Sequence, residues 1–204
     1  MPPTKRILLA LTGASGMPYA FALAKALAAI PDLELHLIAS EAAQKVLELE
    51  SDVAWDDFTR LAGRVYSQNE LDAAPASGSW RHAGMIVCPC SMATLAAIAS
   101  GLGHNLIHRA ADVTLKERRP LILVPRETPF NRIHLENMLR AHDAGAIILA
   151  ASPGFYHKPK SIDELADFIA ARALDLLGLP QNLRPGWKEE EAGEGERERE
   201  GEGE

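Results

Sequence analysis

Thr12-Gly13-Ala14-Ser15-Gly16 follows the apolar run Ile7 to Leu11 and precedes an Ala-rich stretch. Two glycines let the backbone approach an anion, while a helix starting there offers free N–H groups and the positive end of its dipole. Ser15 adds a hydroxyl donor. The same residues serve equally well as a plain strand-to-helix turn. The full dinucleotide fingerprint is absent, and Ala39-Ser40 closes the second apolar run without an acidic residue, so a mononucleotide fits better than NAD.

Further along, Ser91-Met92-Ala93-Thr94 offers small and hydroxylated residues at a second such turn, although Ser91 by itself reads first as a helix cap. Cys88 and Cys90 are two thiols without a second ligand pair, so strand-end packing is the expectation rather than metal binding. Arg109 and Lys116 are seven residues apart and share a helix face that can grip a phosphate or simply face solvent beside Asp112 and Glu117. Arg126-Glu127 stands between Pro125 and Pro129, a rigid setting for anion binding beside proton transfer, with an ion pair as the plainer reading. Tyr156 can donate to a phosphate or stack on a ring. Arg172 lies inside the last amphipathic stretch, and Trp187 stands isolated beyond it as a docking contact or a loose aromatic.

The elements that must position these groups alternate. Strands are expected at Ile7–Leu11, Leu33–Ile38, Met85–Cys88, Leu121–Val124 and Ala146–Leu149. Helices are expected at Met17–Ala29, Glu41–Leu49 (capped by Ser40), Met92–Ser100, Leu106–Arg118, Ile133–Ala144 and Ile162–Leu177. That order predicts a Rossmann-like (flavodoxin-like) α/β fold: a mostly parallel sheet, helices on both faces, and function at the carboxyl ends of the strands.

Composition bounds the partners. The chain has 204 residues and a formal net charge of -7, but Lys188 to Glu204 holds nine Glu against three cations, leaving 18 basic and 19 acidic residues in the body. A near-neutral body without a basic stripe excludes an electrostatic nucleic-acid reader. No apolar run reaches the length of a membrane span, and the five-residue run Ile7 to Leu11 is short for a signal peptide. Two cysteines do not make a disulfide framework, so a cytoplasmic location is expected. The expected division is a flavoprotein domain over 1–187 and a Gly/Glu-rich disordered tail over 188–204.

Together the segments resemble the flavin prenyltransferase family, the ubiquinone-pathway and phenylacrylic-acid-decarboxylase-associated flavoproteins. The likeness runs from about Lys5 to Trp187. It rests on T-G-A-S-G at 12–16, E-S-D-V-A at 50–54, P-A-S-G-S at 75–79, C-P-C-S at 88–91, N-L-I-H-R-A-A-D-V-T-L-K-E-R-R-P at 105–120, V-P-R-E-T-P-F at 124–130, I-H-L-E-N-M at 133–138 and P-G-F-Y-H at 153–157. The resemblance implies that Gly13, Ala14, Ser15, Ser40, Ser91, Met92, Ala93, Thr94 and Arg126 surround flavin mononucleotide (FMN). It implies that Arg109, Lys116, Glu127, Tyr156 and Arg172 collect around dimethylallyl phosphate, with Trp187 and Tyr156 as aromatics beside the allyl group.

The activity so implied prenylates reduced FMN at N5 and C6, without a metal, and supplies prenylated FMN to a UbiD-type decarboxylase. Ser15 lies near the reacting flavin edge in this reading, Glu50 and Glu127 handle protons, and the protein is a homo-oligomer, a dodecamer with sites between subunits. Two departures touch the site: Met92-Ala93 stands where the family more often has Thr-Gly, and Leu71 replaces a frequent aromatic. The alternatives are a flavin-dependent cysteine decarboxylase, disfavoured because Pro75-Ala76-Ser77-Gly78-Ser79 lacks that family's Asn, and a flavin carrier without chemistry.

Overall fold

The computed structural model describes residues 5–184. Six strands form one parallel sheet in the order β3-β2-β1-β4-β5-β6: β1 Lys5–Leu11, β2 Leu33–Ala39, β3 Arg64–Ser67, β4 Gly84–Cys90, β5 Leu121–Pro125 and β6 Ile147–Ile148. β4 and β5 are buried end to end and β1 from Ile7 onward, as continuous Ile, Leu and Val runs predict for a parallel sheet covered on both faces. The helices are α1 Met17–Ala28, α2 Glu41–Glu50, α3 Trp55–Thr59, α4 Met92–Ala99, α5 Leu106–Lys116, α6 Arg132–Asp143 and α7 Ile162–Leu176. Leu9, Leu37, Leu23 and Ile169 belong to a core beneath α1 and α7 on one face, and Leu8, Val87, Leu95 and Ile107 to a core beneath α4 and α5 on the other.

The expected fold class is therefore the observed one, with most boundaries within two residues. β3 and α3 were not anticipated. β3 has four residues, Arg-Val-Tyr-Ser, and only Tyr66 is fully buried, which is too little alternation to signal a strand; it forms because the edge of β2 offers it a backbone ladder. β6 shrinks to two residues at the other edge, shorter than the apolar run Ala146 to Leu149. Pro89 sits inside β4, and the pairing with β5 shifts register between Val87 and Cys90, which accommodates a residue without an N–H donor.

Strand order reverses between β1, which continues to β2, and β4, which continues to β5. Crevices at such a switch point, outside the carboxyl ends of the strands, are where doubly wound sheets bind ligands. One side chain ties the two halves there. The buried Thr12 hydroxyl donates to the Pro89 carbonyl (2.7 Å) and accepts from the Ser91 amide (2.8 Å).

Candidate active site

The Gly13–Gly16 turn begins at the end of β1. Gly16 has φ +123°, a conformation that L side chains rarely adopt, and an added Cβ would stand 3.0 Å from the Tyr19 ring. At Gly13 a Cβ would meet the Ala42 Cβ at 2.5 Å, so the start of α2 packs directly on the turn. The far end of α2 returns to the same turn: Glu50 Oε2 accepts from the Gly16 amide (2.8 Å) and the Met17 amide (2.9 Å). α2 thus lies along the turn, and the protein's own carboxylate occupies the first free amides of α1. Burial alone would raise the Glu50 pKa, but hydrogen bonds from Ser15 and the two amides, with Arg126 nearby, hold it below the ordinary carboxylate value. Glu50 is ionised at neutral pH.

Arg126 leaves the end of β5 and reaches across the switch point, its Nε donating to the Ser15 carbonyl (3.0 Å). It forms no ion pair with neighbouring Glu127, whose carboxylate is exposed and accepts from the Thr128 amide (2.9 Å). Ser15, Gly16, Pro18, Tyr19, Glu50, Arg126, Ile162 and Leu165 line a cleft of about 320 Å³. The lining mixes polar and charged Ser15, Glu50 and Arg126 with apolar Pro18, Ile162 and Leu165. A planar ring carrying a phosphate or an allylic chain suits such a mixed wall.

The other expected flavin contacts lie along the same carboxyl edge. Ser40 caps α2 by accepting from the Ala43 amide (3.1 Å), and Ser91 caps α4 by accepting from Thr94 (3.2 Å) while donating to the Thr94 hydroxyl (3.0 Å). Met92 and Ala93 open α4 beside them. Cys88 and Cys90 are wholly buried, and burial pushes the Cys90 thiol up to about 12, so both stay protonated packing groups.

Not every expected residue joins the cleft. Arg109 is exposed in the first turn of α5, which starts at the carboxyl edge, where the Leu106 amide donates to Gln68 just beyond β3. Lys116 lies seven residues on, about 10 Å along the axis, at the end of the helix that leads back to the start of β5. There it lines a broad groove with Arg118, Arg119, Ile147 and Leu176, on the amino side of the sheet. Arg172 is one turn before Leu176 on α7 and pairs with Asp175 (2.9 Å). Within one chain, then, Lys116 and Arg172 lie toward the amino ends of the strands, away from Ser15 at the carboxyl edge. Tyr156 is 81% exposed on the loop after β6, and Trp187 lies outside the described residues, as does the 188–204 segment. Pro18, Tyr19, Ile162 and Leu165 were missed; Tyr19 could have been found, since it follows Ser15 by one helical turn.

The Flavoprotein family model matches residues 1–174. Flavin prenyltransferase UbiX of Pseudomonas aeruginosa is 50% identical over 200 residues, covering 91% of this chain and 95% of that one. The chain belongs to the flavin prenyltransferase family. Among solved structures, AnUbiX (PadA1) in complex with FMN and dimethylallyl pyrophosphate superposes with a TM-score of 0.87 at 45% identity, covering 90% of this chain and 97% of that one. A dodecameric FMN-dependent UbiX-like decarboxylase from Escherichia coli O157:H7 also gives 0.87, at 42% identity, over 89% and 98% of the two chains. Among the described residues no helix is long and apolar enough to cross a membrane.

Proposed function

We propose that the chain is a flavin prenyltransferase that joins the allylic carbon of dimethylallyl phosphate to N5 of reduced FMN and closes a ring through C6. The observation that carries this is the convergence of Ser15, Glu50 and Arg126 in one half-apolar cleft of a chain 50% identical to such an enzyme. Reduced flavin supplies the electron-rich N5 and C6 when bound. In this reading Gly13, Ala14, Ser15, Ser40, Ser91, Met92, Ala93, Thr94 and Arg126 hold it.

Breaking the allylic C–O bond leaves its electron pair on the phosphate, and the growing negative charge must be neutralised as it forms. Arg109, Lys116 and Arg172 serve that purpose here, with side chains taking the part a metal would otherwise play. Because Lys116 and Arg172 face away from their own chain's cleft, this reading brings them from neighbouring copies in a homo-oligomer, a dodecamer with sites between subunits. Tyr156 and Trp187 flank the allyl group, where aromatic faces stabilise a developing cation. Glu50, held ionised, accepts rather than gives a proton, and Glu127 is the second proton carrier.

The reading places the flavoprotein domain at 1–187, the acidic tail at 188–204 and the protein in the cytoplasm. Its prenylated FMN passes to a UbiD-type decarboxylase in ubiquinone biosynthesis. The test is to incubate purified protein with reduced FMN and dimethylallyl phosphate and weigh the flavin by mass spectrometry. A flavin heavier by one five-carbon unit is expected. An unmodified flavin, with the allylic phosphate tightly bound, overturns the enzyme reading in favour of a carrier.

A further inference from the structure

The N-terminus of α1 would ordinarily be the anion site of the cleft, yet its Gly16 and Met17 amides both donate to Glu50. With those two amides taken, an anionic group entering the cleft turns to the remaining donors, side-chain donors among them. Of the residues lining it, only Ser15, Tyr19 and Arg126 carry one. The Ser15 hydroxyl is already engaged with Glu50, and the Arg126 Nε is spent on the Ser15 carbonyl, which leaves its terminal nitrogens.

Tyr19 is different. Its ring packs against Gly16, the residue whose missing side chain makes room for it, and its hydroxyl makes no hydrogen bond among the described residues. The phenol nevertheless lies in the combined fields of the Arg126 guanidinium and the Glu50 carboxylate. Burial, with the Glu50 carboxylate adding to it and the Arg126 guanidinium opposing, pushes its pKa up, so the proton needed for donation stays on the oxygen.

We infer that the Tyr19 hydroxyl is a phosphate-binding donor of the cleft, working beside Arg126 on a phosphate monoester. This rests on the prenyltransferase reading for the choice of ligand, since that reading brings two such esters to the protein: the 5′-phosphate of FMN and dimethylallyl phosphate. The chemistry recognised is the same for both.

Equilibrium titration of wild type and Tyr19→Phe separates the sources: apo-protein with FMN, oxidised FMN-loaded protein with dimethylallyl phosphate, and the loaded protein with inorganic phosphate. Removing a hydrogen bond to a charged group weakens binding by about ten- to a hundredfold. If dimethylallyl phosphate and inorganic phosphate weaken in parallel by that factor while FMN is unchanged, Tyr19 holds the prenyl donor. If FMN alone weakens, Tyr19 holds the flavin phosphate. Unchanged dissociation constants for all three overturn the inference, as does a Tyr19→Phe protein whose thermal midpoint falls together with every affinity, the mark of a purely structural ring. A phosphate affinity that depends on Tyr19 in a protein that never alkylates flavin would sink the prenyltransferase reading and leave the Tyr19 assignment standing.

Discussion

Glu50 shows how one side chain settles what a glycine turn can do. Its carboxylate neutralises the dipole end of α1 and is held ionised by two amides, so Glu50→Gln should cost about 1–2 kcal/mol at neutral pH. Because the folded pKa lies below the ordinary 4.5, that contribution is present above pH 4.5 and fades as pH falls through the folded value. Urea melts of both proteins at pH 7 and at strongly acidic pH should show the gap closing. His82 behaves in the opposite chemical sense. Burial lowers it from 6.5 to about 4, with its Nδ1 facing the Gly84 carbonyl (3.1 Å), its Nε2 facing Thr114 (3.4 Å), and Arg119 and His36 nearby. The unfolded chain then binds the extra proton between pH 6.5 and 4, so stability drops across that window by up to about 3 kcal/mol. His82→Gln should flatten that part of the stability–pH curve, as read by thermal midpoints at half-unit intervals.

At the scale of elements, the switch point depends on two close approaches. Thr12→Val keeps the shape but strips the donor from the Pro89 carbonyl and the acceptor from the Ser91 amide, and should cost about 3 kcal/mol in chemical denaturation. Gly13→Ala drives a methyl into Ala42 and must displace α2, the element that carries both Ser40 and Glu50. A loss of about 1–3 kcal/mol is expected, together with weaker FMN binding by fluorescence titration. The long apolar strands and the Ser-capped helices could be read in the sequence because burial on both faces and side-chain caps leave local signatures. β3 and α3 could not, since one has four residues and the other five, and both owe their form to neighbours.

For the whole molecule, the surface carries what a single chain does not use. On α6, Asn137 and Ala141 face the core, whereas Leu135 and Leu139 are 54% and 60% exposed one turn apart on the opposite side. Under the proposed homo-oligomer, apolar groups left uncovered in this way are the ones an interface would bury. The double variant Leu135→Glu/Leu139→Glu should sediment as a smaller species than wild type while keeping its far-ultraviolet circular dichroism. The proposed sharing of sites between copies also predicts complementation. Ser15→Ala and Lys116→Ala proteins, each inactive alone, should regain part of the prenylation rate when unfolded together and refolded as mixed oligomers; no recovery would mean that each chain works with its own Lys116.

The linear order of residues by itself determined the doubly wound fold, the turn at Gly13–Gly16 and the family, because periodicity, caps and spaced motifs are local properties. What it did not determine was who meets whom at the carboxyl edge. Only the tertiary structure folds α2 back so that Glu50 takes the α1 amides, carries Arg126 across the switch point to Ser15, and leaves the Tyr19 hydroxyl beside them. It also sets Lys116 and Arg172 toward the amino ends of the strands, since a helix running antiparallel to its strands carries its later turns there. Such pairings span tens of residues, from 34 between Gly16 and Glu50 to 111 between Ser15 and Arg126, and no local pattern encodes them.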